Sequence, residues 1–161
     1  AQINELALRH IQLIAFGILE YCFKVDSESL AEEIQKRAAK INKRMPVLIE
    51  VNIGREEAKS GIFPENLENF CLALKNCPNL SVRGLMTIAP NCEDKNEYHR
   101  YFSEMNRLKD VVFTKHFPET DAPILSMGMS GSFFQALENG SDIIRIGEGI
   151  FGKRNALPKK D

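Results

Sequence analysis

No charge of one sign dominates this sequence, which has 21 lysines and arginines against 22 acidic residues in 161. A chain without a positive field does not gather nucleic acid or an acidic membrane surface, so a non-specific polyanion binder is disfavoured. Long apolar runs are missing too. The most apolar stretch, Leu13 to Leu19, falls far short of the roughly 20 residues that span a bilayer, and no A-x-A-like cleavage signal follows it. The four cysteines, Cys22, Cys71, Cys77 and Cys92, form neither a CxxC pair nor the dense spacing of a secreted disulfide scaffold, so they read as reduced thiols in a cytoplasmic protein. His99 and His116 lack ligand partners at useful spacing, and no metal site is indicated. Low-complexity segments and clear linkers are also lacking. What remains is one ordinary globular domain, 43% hydrophobic and 27% charged, able to bury a core.

Short β-branched runs alternate with segments of helical period, the pattern of a parallel sheet joined by crossover helices. Five strands are expected: Tyr21 to Val25, Val47 to Ile53, Val82 to Ile88, Pro123 to Met127 and Asp142 to Ile146. The first helix repeats Leu30, Ile34, Ala38 and Ile41, with Ser29 and Glu32 in a capping-box relation. A second opens near Pro64 and carries Leu67, Phe70, Cys71 and Leu74 before Pro78. The third aligns Tyr98, Tyr101, Phe102, Met105 and Leu108, an aromatic stripe whose helical period marks core packing rather than a nucleic-acid platform. A fourth lies between Gly131 and Asn139, with Gly140 suited to the left-handed position after a helix end.

Strand–helix units of about 30 residues fit either an open doubly wound sheet or a (β/α) barrel. A doubly wound nucleotide binder carries its G-x-G-x-x-G turn after the first strand, and none occurs in the first half. Glycine and serine gather near the C-terminus instead, where barrels build phosphate sites from their last two loops. The first such element is Leu125-Ser126-Met127-Gly128-Met129-Ser130-Gly131-Ser132. It leaves a strand and enters a helix, whose unpaired N–H groups with a Ser130 or Ser132 hydroxyl suit a phosphate; a plain serine N-cap gives the same pattern. In the second, Arg145-Ile146-Gly147-Glu148-Gly149-Ile150-Phe151-Gly152, glycines let backbone approach a ligand. Arg145, flanked by Ile144 and Ile146, needs an anionic or acceptor partner if it points inward, either a ligand or a buried salt bridge.

Gly84-Leu85-Met86, Leu125 through Ser130, Arg145-Ile146-Gly147 and Ile150-Phe151-Gly152, together with Asn52, Lys59-Ser60-Gly61 and Val25-Asp26-Ser27, resemble the pyridoxal phosphate homeostasis protein family. The resemblance runs in family order from about residue 22 to residue 154. It implies a single-domain (β/α) TIM barrel of the alanine racemase N-terminal type, binding pyridoxal 5′-phosphate (PLP) at its strand ends. By that resemblance Ser130 with the Gly147 and Glu148 amides holds the phosphate, within the loop that includes Gly128 and Met129. Arg145 faces the pyridine nitrogen, Met86 lies against the ring and Ser126 sits below the phosphate loop. Asn52 belongs to the same site. A cation beside that nitrogen weakens the ring as an electron sink, which suits carrying the cofactor better than carbanion chemistry.

The departures matter as much. Family members carry a Schiff-base lysine on their first strand, followed by further strands, and neither aligns with this chain. Residues 1 to 20 match poorly: His10-Ile11-Gln12 is similar to a family motif, but Arg9 stands where glycine is expected, and Ser132 replaces a usual aspartate. With about five β/α units where eight close a barrel, and Ala1 in place of methionine, the expectation is an N-terminally truncated single domain over residues 1–161 without covalent cofactor binding. Lys59, on a loop at the cofactor-side rim, is either a second anion contact or a solvated lysine. The expected function is intracellular PLP homeostasis without catalysis, with PLP-dependent apoenzymes or a chain completing the barrel as partners. The alternatives are a racemase or decarboxylase, for which Tyr21, Tyr98 and Tyr101 do not look well placed, and a barrel for another phosphorylated ligand using Glu50 and Glu148.

Overall fold

A computed structural model describes residues 23–152 of the chain; residues 1–20, Cys22, and Lys159 and Lys160 of the tail lie outside the described residues. Five strands alternate with helices: β1 (Phe23–Val25), α1 (Glu28–Lys40), β2 (Met45–Glu50), a 3-10 turn (Pro64–Asn66) leading into α2 (Leu67–Leu74), β3 (Leu80–Met86), α3 (Lys95–His116), β4 (Ile124–Met129), α4 (Phe133–Glu138), β5 (Ile143–Arg145) and α5 (Glu148–Phe151). All five strand regions and all four helices read from the sequence are present. The edges differ by a few residues, because β2 ends at Glu50 and the chain then turns outward.

The strands are parallel and pair in sequence order, β1-β2-β3-β4-β5. A doubly wound sheet reverses its order at a switch point, and this sheet never does. Neighbouring helices touch one another, α1 with α2, α2 with α3 and α3 with α4, so they form one layer on one face. That is the winding of a (β/α) barrel, and the described residues form a five-strand arc of one.

Side chains alternate across each strand, so one face of the arc meets the helices. Val25, Val47, Ile49, Val82, Leu85, Leu125 and Met127 enter a core completed by Phe70, Phe102 and Met105. Phe102, Met105 and Leu125 are fully buried, and truncating such an aromatic costs about 3–5 kcal/mol. In β3 the pairing with β2 slips between Val47 and Leu48, leaving Arg83 as the extra residue. This bulge lets both Val82 and Leu85 face the core.

The helices begin and end for local reasons. α1 is capped by Ser27, whose hydroxyl accepts from the Leu30 amide at 3.4 Å, rather than by the Ser29–Glu32 box expected from sequence: Ser29 already lies inside the first turn. Its end is turned by Asn42 at φ 50°, a left-handed geometry that asparagine tolerates. α3 starts where the Asp94 carboxylate accepts from the Asn96 amide at 2.9 Å, and its aromatic stripe is buried as expected, Tyr101 only partly. Gly140 takes the left-handed position at φ 82° after α4.

Candidate functional site

The opposite face of the arc, the lumen side, carries the alternate residues Lys24, Glu50, Met86, Ser126 and Arg145. Register ties three of them into one row, Glu50 pairing with Met86 and Met86 with Ser126, while Lys24 and Arg145 join it through their hydrogen bonds to Glu50 and Ser126. A largely polar row on a strand face, against a wholly apolar helix-side face, marks the chemistry-bearing surface.

Arg145 is partly buried and donates to the Ser126 carbonyl at 3.2 Å, the Ser126 hydroxyl at 2.7 Å and the Thr87 carbonyl at 2.8 Å. Guanidinium has five N–H donors, so two remain. No carboxylate of the described residues lies within salt-bridge distance of it, so the buried ion pair left open by the sequence does not occur there. Burial holds its pKa below the ordinary arginine value, with the field of Glu50 opposing. A desolvated cation lacking a counter-charge is an unfinished arrangement, and it points into the lumen beside Met86 and Ser126.

The two glycine-serine elements meet at this end. The Ser130 hydroxyl accepts from the Gly149 amide at 3.0 Å, joining the loop after β4 to the turn entering α5. The Gly147 and Glu148 amides have no acceptor among the described residues. A Cβ placed on Gly131 or Gly147 would meet no atom within 4 Å, and neither residue has a positive φ. Neither packing nor backbone conformation therefore requires glycine there, and the open space is a cradle in which a ligand can lie against main chain. Ser132 is not part of it: its hydroxyl turns back to accept from the Met129 amide at 3.2 Å and makes no cap bond at α4. Gly128, at φ 93° with Ala136 pressed against it, bends the strand end that presents Met129 and Ser130.

Ser126, Gly128, Met129, Ser130, Arg145, Gly147, Glu148 and Met86 thus gather at the C-terminal ends of β3, β4 and β5. Asn52 sits apart at the end of β2, where its side chain donates to the Glu56 and Lys59 carbonyls at 2.8 and 3.1 Å and accepts from the Glu56 amide at 3.1 Å. It shapes the loop of residues 53–61 with its whole amide. On that loop Lys59 pairs with Glu56 at 2.5 Å. Glu50 and Glu148 do not pair: Glu50 is buried against Lys24 and Ser60, and Glu148 is exposed.

Sequence reasoning missed three participants. Thr87, fully buried, gives its carbonyl to Arg145. Lys95 lays its ammonium on the Gly131 carbonyl at 2.8 Å, at the edge of the cradle. Glu50, considered only for paired-carboxylate chemistry, is held by Lys24. The apolar strand pattern carries no signal for the first two; a carboxylate in the middle of Val47 to Ile53 was the signal for the third.

These donors fit PLP in chemical terms. The phosphate matches free amides and a serine hydroxyl, and the ring nitrogen matches the two spare Arg145 N–H groups. Residues 18–155 match the alanine racemase N-terminal domain, and the chain belongs to that family. Within it, the sequence is 45% identical over 130 residues to the pyridoxal phosphate homeostasis protein of Aquifex aeolicus, covering 81% of this chain and 56% of that protein. It is 35% identical over 144 residues to the Escherichia coli protein of the same name, covering 87% and 58%. The chain therefore spans little more than half the length of these curated relatives. PipY of Synechococcus elongatus, solved with PLP bound, superimposes with a TM-score of 0.69 at 26% identity over 80% of this chain and 58% of that one. Alanine racemase from Corynebacterium glutamicum, at 19% identity and a TM-score of 0.62 over 96% of this chain and 48% of that one, shares the fold. The family and the barrel fold expected from the sequence are confirmed. Among the described residues no helix is long and apolar enough to cross a membrane.

Proposed function

We propose that the chain binds PLP in this cradle and serves intracellular PLP homeostasis in the cytoplasm, holding the cofactor rather than catalysing with it. The observation that carries the reading is the pairing of Arg145, a desolvated cation with no carboxylate partner among the described residues, with the open glycine cradle beside it. Ser130 and the Gly147 and Glu148 amides hold the phosphate, Arg145 donates to the ring nitrogen, and Met86 and Ser126 form the floor. Bound PLP supplies an aldehyde and an electron-withdrawing ring. Arg145 keeps its proton and leaves the ring nitrogen unprotonated, which weakens that withdrawal.

The tyrosines support a non-catalytic role. Tyr98 packs in the core on the helix side and Tyr101 against it, so neither offers a lumen-facing acid or base; Tyr21 lies outside the described residues. The partners this reading implies are PLP-requiring apoenzymes. Asn52 and Lys59 act indirectly, through the loop that walls the rim.

The test is a titration of the chain with PLP, followed by absorbance and thermal shift, with inorganic phosphate as competitor. Saturable stabilisation that phosphate reverses is expected. No shift at millimolar PLP sinks the proposal, and a response to sugar phosphates equal to that for PLP favours the other phosphorylated ligand instead.

A further inference from the structure

Thr87 stands just past the end of β3, is fully buried, and directs each of its three polar groups at a different part of the sheet. Its amide donates to the Ser126 carbonyl on β4 at 3.1 Å. Its hydroxyl donates to the Val51 carbonyl just beyond β2 at 2.6 Å, and its own carbonyl accepts from Arg145 on β5 at 2.8 Å. A buried hydroxyl has to be bonded, which a plain core threonine achieves with any nearby carbonyl. The choice of partner matters here. The Val51 amide donates to the Met86 carbonyl at 2.8 Å, and the next amide of β3, that of Thr87, turns to β4 instead. The Thr87 side chain is therefore what ties this peptide back to β2.

The guanidinium of Arg145 shows what that tie controls. Its Nη1 is taken up by the Ser126 carbonyl and hydroxyl, while Nη2 donates to the Thr87 carbonyl. One of its spare N–H groups therefore sits on Nη2, the nitrogen that Thr87 holds. Hydrogen bonds weaken steeply with misalignment, so a small turn of the Thr87 carbonyl redirects that spare donor. Held at its amide and at its hydroxyl, Thr87 has little freedom to turn. Val51 is also the foot of the rim loop: it bridges Ile62, whose carbonyl accepts from the Asn52 amide at 2.9 Å. The loop of residues 53–61 and the Arg145 guanidinium thus share one anchor.

We propose, resting on the PLP reading above, that Thr87 is a positioning residue for recognition of the ring nitrogen: its hydroxyl, anchored on Val51, sets the carbonyl that aims Arg145 at the cofactor. Thr87 does not touch the ligand and acts only through Arg145. Replacing the hydroxyl by a methyl group of the same size leaves the Val51 carbonyl without that donor and frees the Thr87 carbonyl to turn. The phosphate cradle, built from Ser130 and the Gly147 and Glu148 amides, is not part of this chain of contacts. The loss therefore falls on the ring end of the cofactor and spares the phosphate end.

The experiment titrates the 161-residue chain with PLP and, separately, with inorganic phosphate, reading affinity from the concentration dependence of the thermal shift. Thr87→Val should weaken PLP binding by about 10-fold, the low end for a charge-assisted hydrogen bond, and leave phosphate affinity unchanged. Thr87→Ser, which keeps the hydroxyl, should bind PLP as the unaltered chain does. In an Arg145→Gln background Thr87→Val should cost nothing further, because residues acting through one another are not additive. Unchanged PLP affinity in Thr87→Val, an equal loss for PLP and phosphate, or additive losses with Arg145→Gln each overturn the proposal and leave PLP binding standing. Should Thr87→Val fail to fold, Thr87→Ala against Thr87→Ser makes the same comparison in a smaller side chain and is decided by the same outcomes. No response of the unaltered chain to PLP overturns the binding reading and this proposal together.

Discussion

Arg145 shows how a single residue can be costly to the fold and useful to the site. Its three hydrogen bonds contribute about 0.5–1.5 kcal/mol each, while desolvating an ion costs several kcal/mol after relaxation. The two nearly offset. Arg145→Gln should therefore move the denaturant midpoint of the ligand-free chain by less than about 1 kcal/mol, yet weaken PLP binding by about 10- to 100-fold, the worth of a charge-assisted hydrogen bond. A large stability loss with unchanged affinity would show that Arg145 is only structural. His116 is the reverse case, a buried group tied to the fold. It is 5% exposed, and its Nδ1 is buried without a partner. Burial, with Lys115 and Lys75 adding to it, holds its pKa below the ordinary value. The unfolded chain, where histidine titrates near 6.5, thus binds the proton first. Stability from this residue is complete above about pH 7 and falls as pH drops below about 6.5, by at most ~1.4 kcal/mol per pH unit. Urea unfolding between pH 5 and 7 should show this slope, and His116→Phe should flatten it. The burial of His116 was not legible beforehand: the sequence placed no element on it, and α3 ran further than its aromatic stripe suggested.

At the scale of elements, the bulge in β3 and the close approach of β3 to β4 set where the site residues end up. A Cβ on Gly84 would lie 2.0 Å from the Ile124 carbonyl oxygen, a backbone atom that cannot step aside without disturbing the strand pair. Gly84→Ala should cost about 3 kcal/mol or more, read as a lower midpoint in chemical denaturation, and should weaken PLP binding too, because Met86 and Ser126 are positioned by that pairing. Retained stability would mean the strands separate more freely than their register implies. The loop after β2 has its own logic. Asn52 ties it to the end of β2 through three hydrogen bonds, which accounts for Asn52 and Lys59-Ser60-Gly61 standing in one motif.

For the whole molecule, the balance between the two faces of the arc is what ligand binding acts on. The helix face buries a continuous core; among the described residues the lumen face leaves Arg145 without a carboxylate partner and the cradle open. A ligand that binds only the folded chain stabilises it by about 2.7 kcal/mol at 100 times its Kd. PLP at that excess should raise the thermal midpoint by several degrees, by about 4–8 °C per kcal/mol for a small domain and less for a larger one. Inorganic phosphate, meeting the cradle but not Arg145, should give a smaller shift at equal concentration.

The sequence by itself determined the strand and helix alternation, the barrel winding and where glycine and serine gather. Apolar period and the clustering of glycine and serine are local signals, and the motif runs from Gly84 to Gly152 lie on consecutive elements. Only the tertiary structure decided that the Ser130 hydroxyl joins the turn entering α5 while Ser132 turns back onto Met129, and that among the described residues Arg145 has no carboxylate partner. It also decided that Lys24 and Glu50 share the lumen with that arginine. Those facts depend on contacts between residues up to 58 positions apart, as from Arg145 to Thr87, and on which face of a strand each side chain takes. No periodicity in the chain reports whether a buried charge has found its counterpart; that is fixed when separate strands come into register.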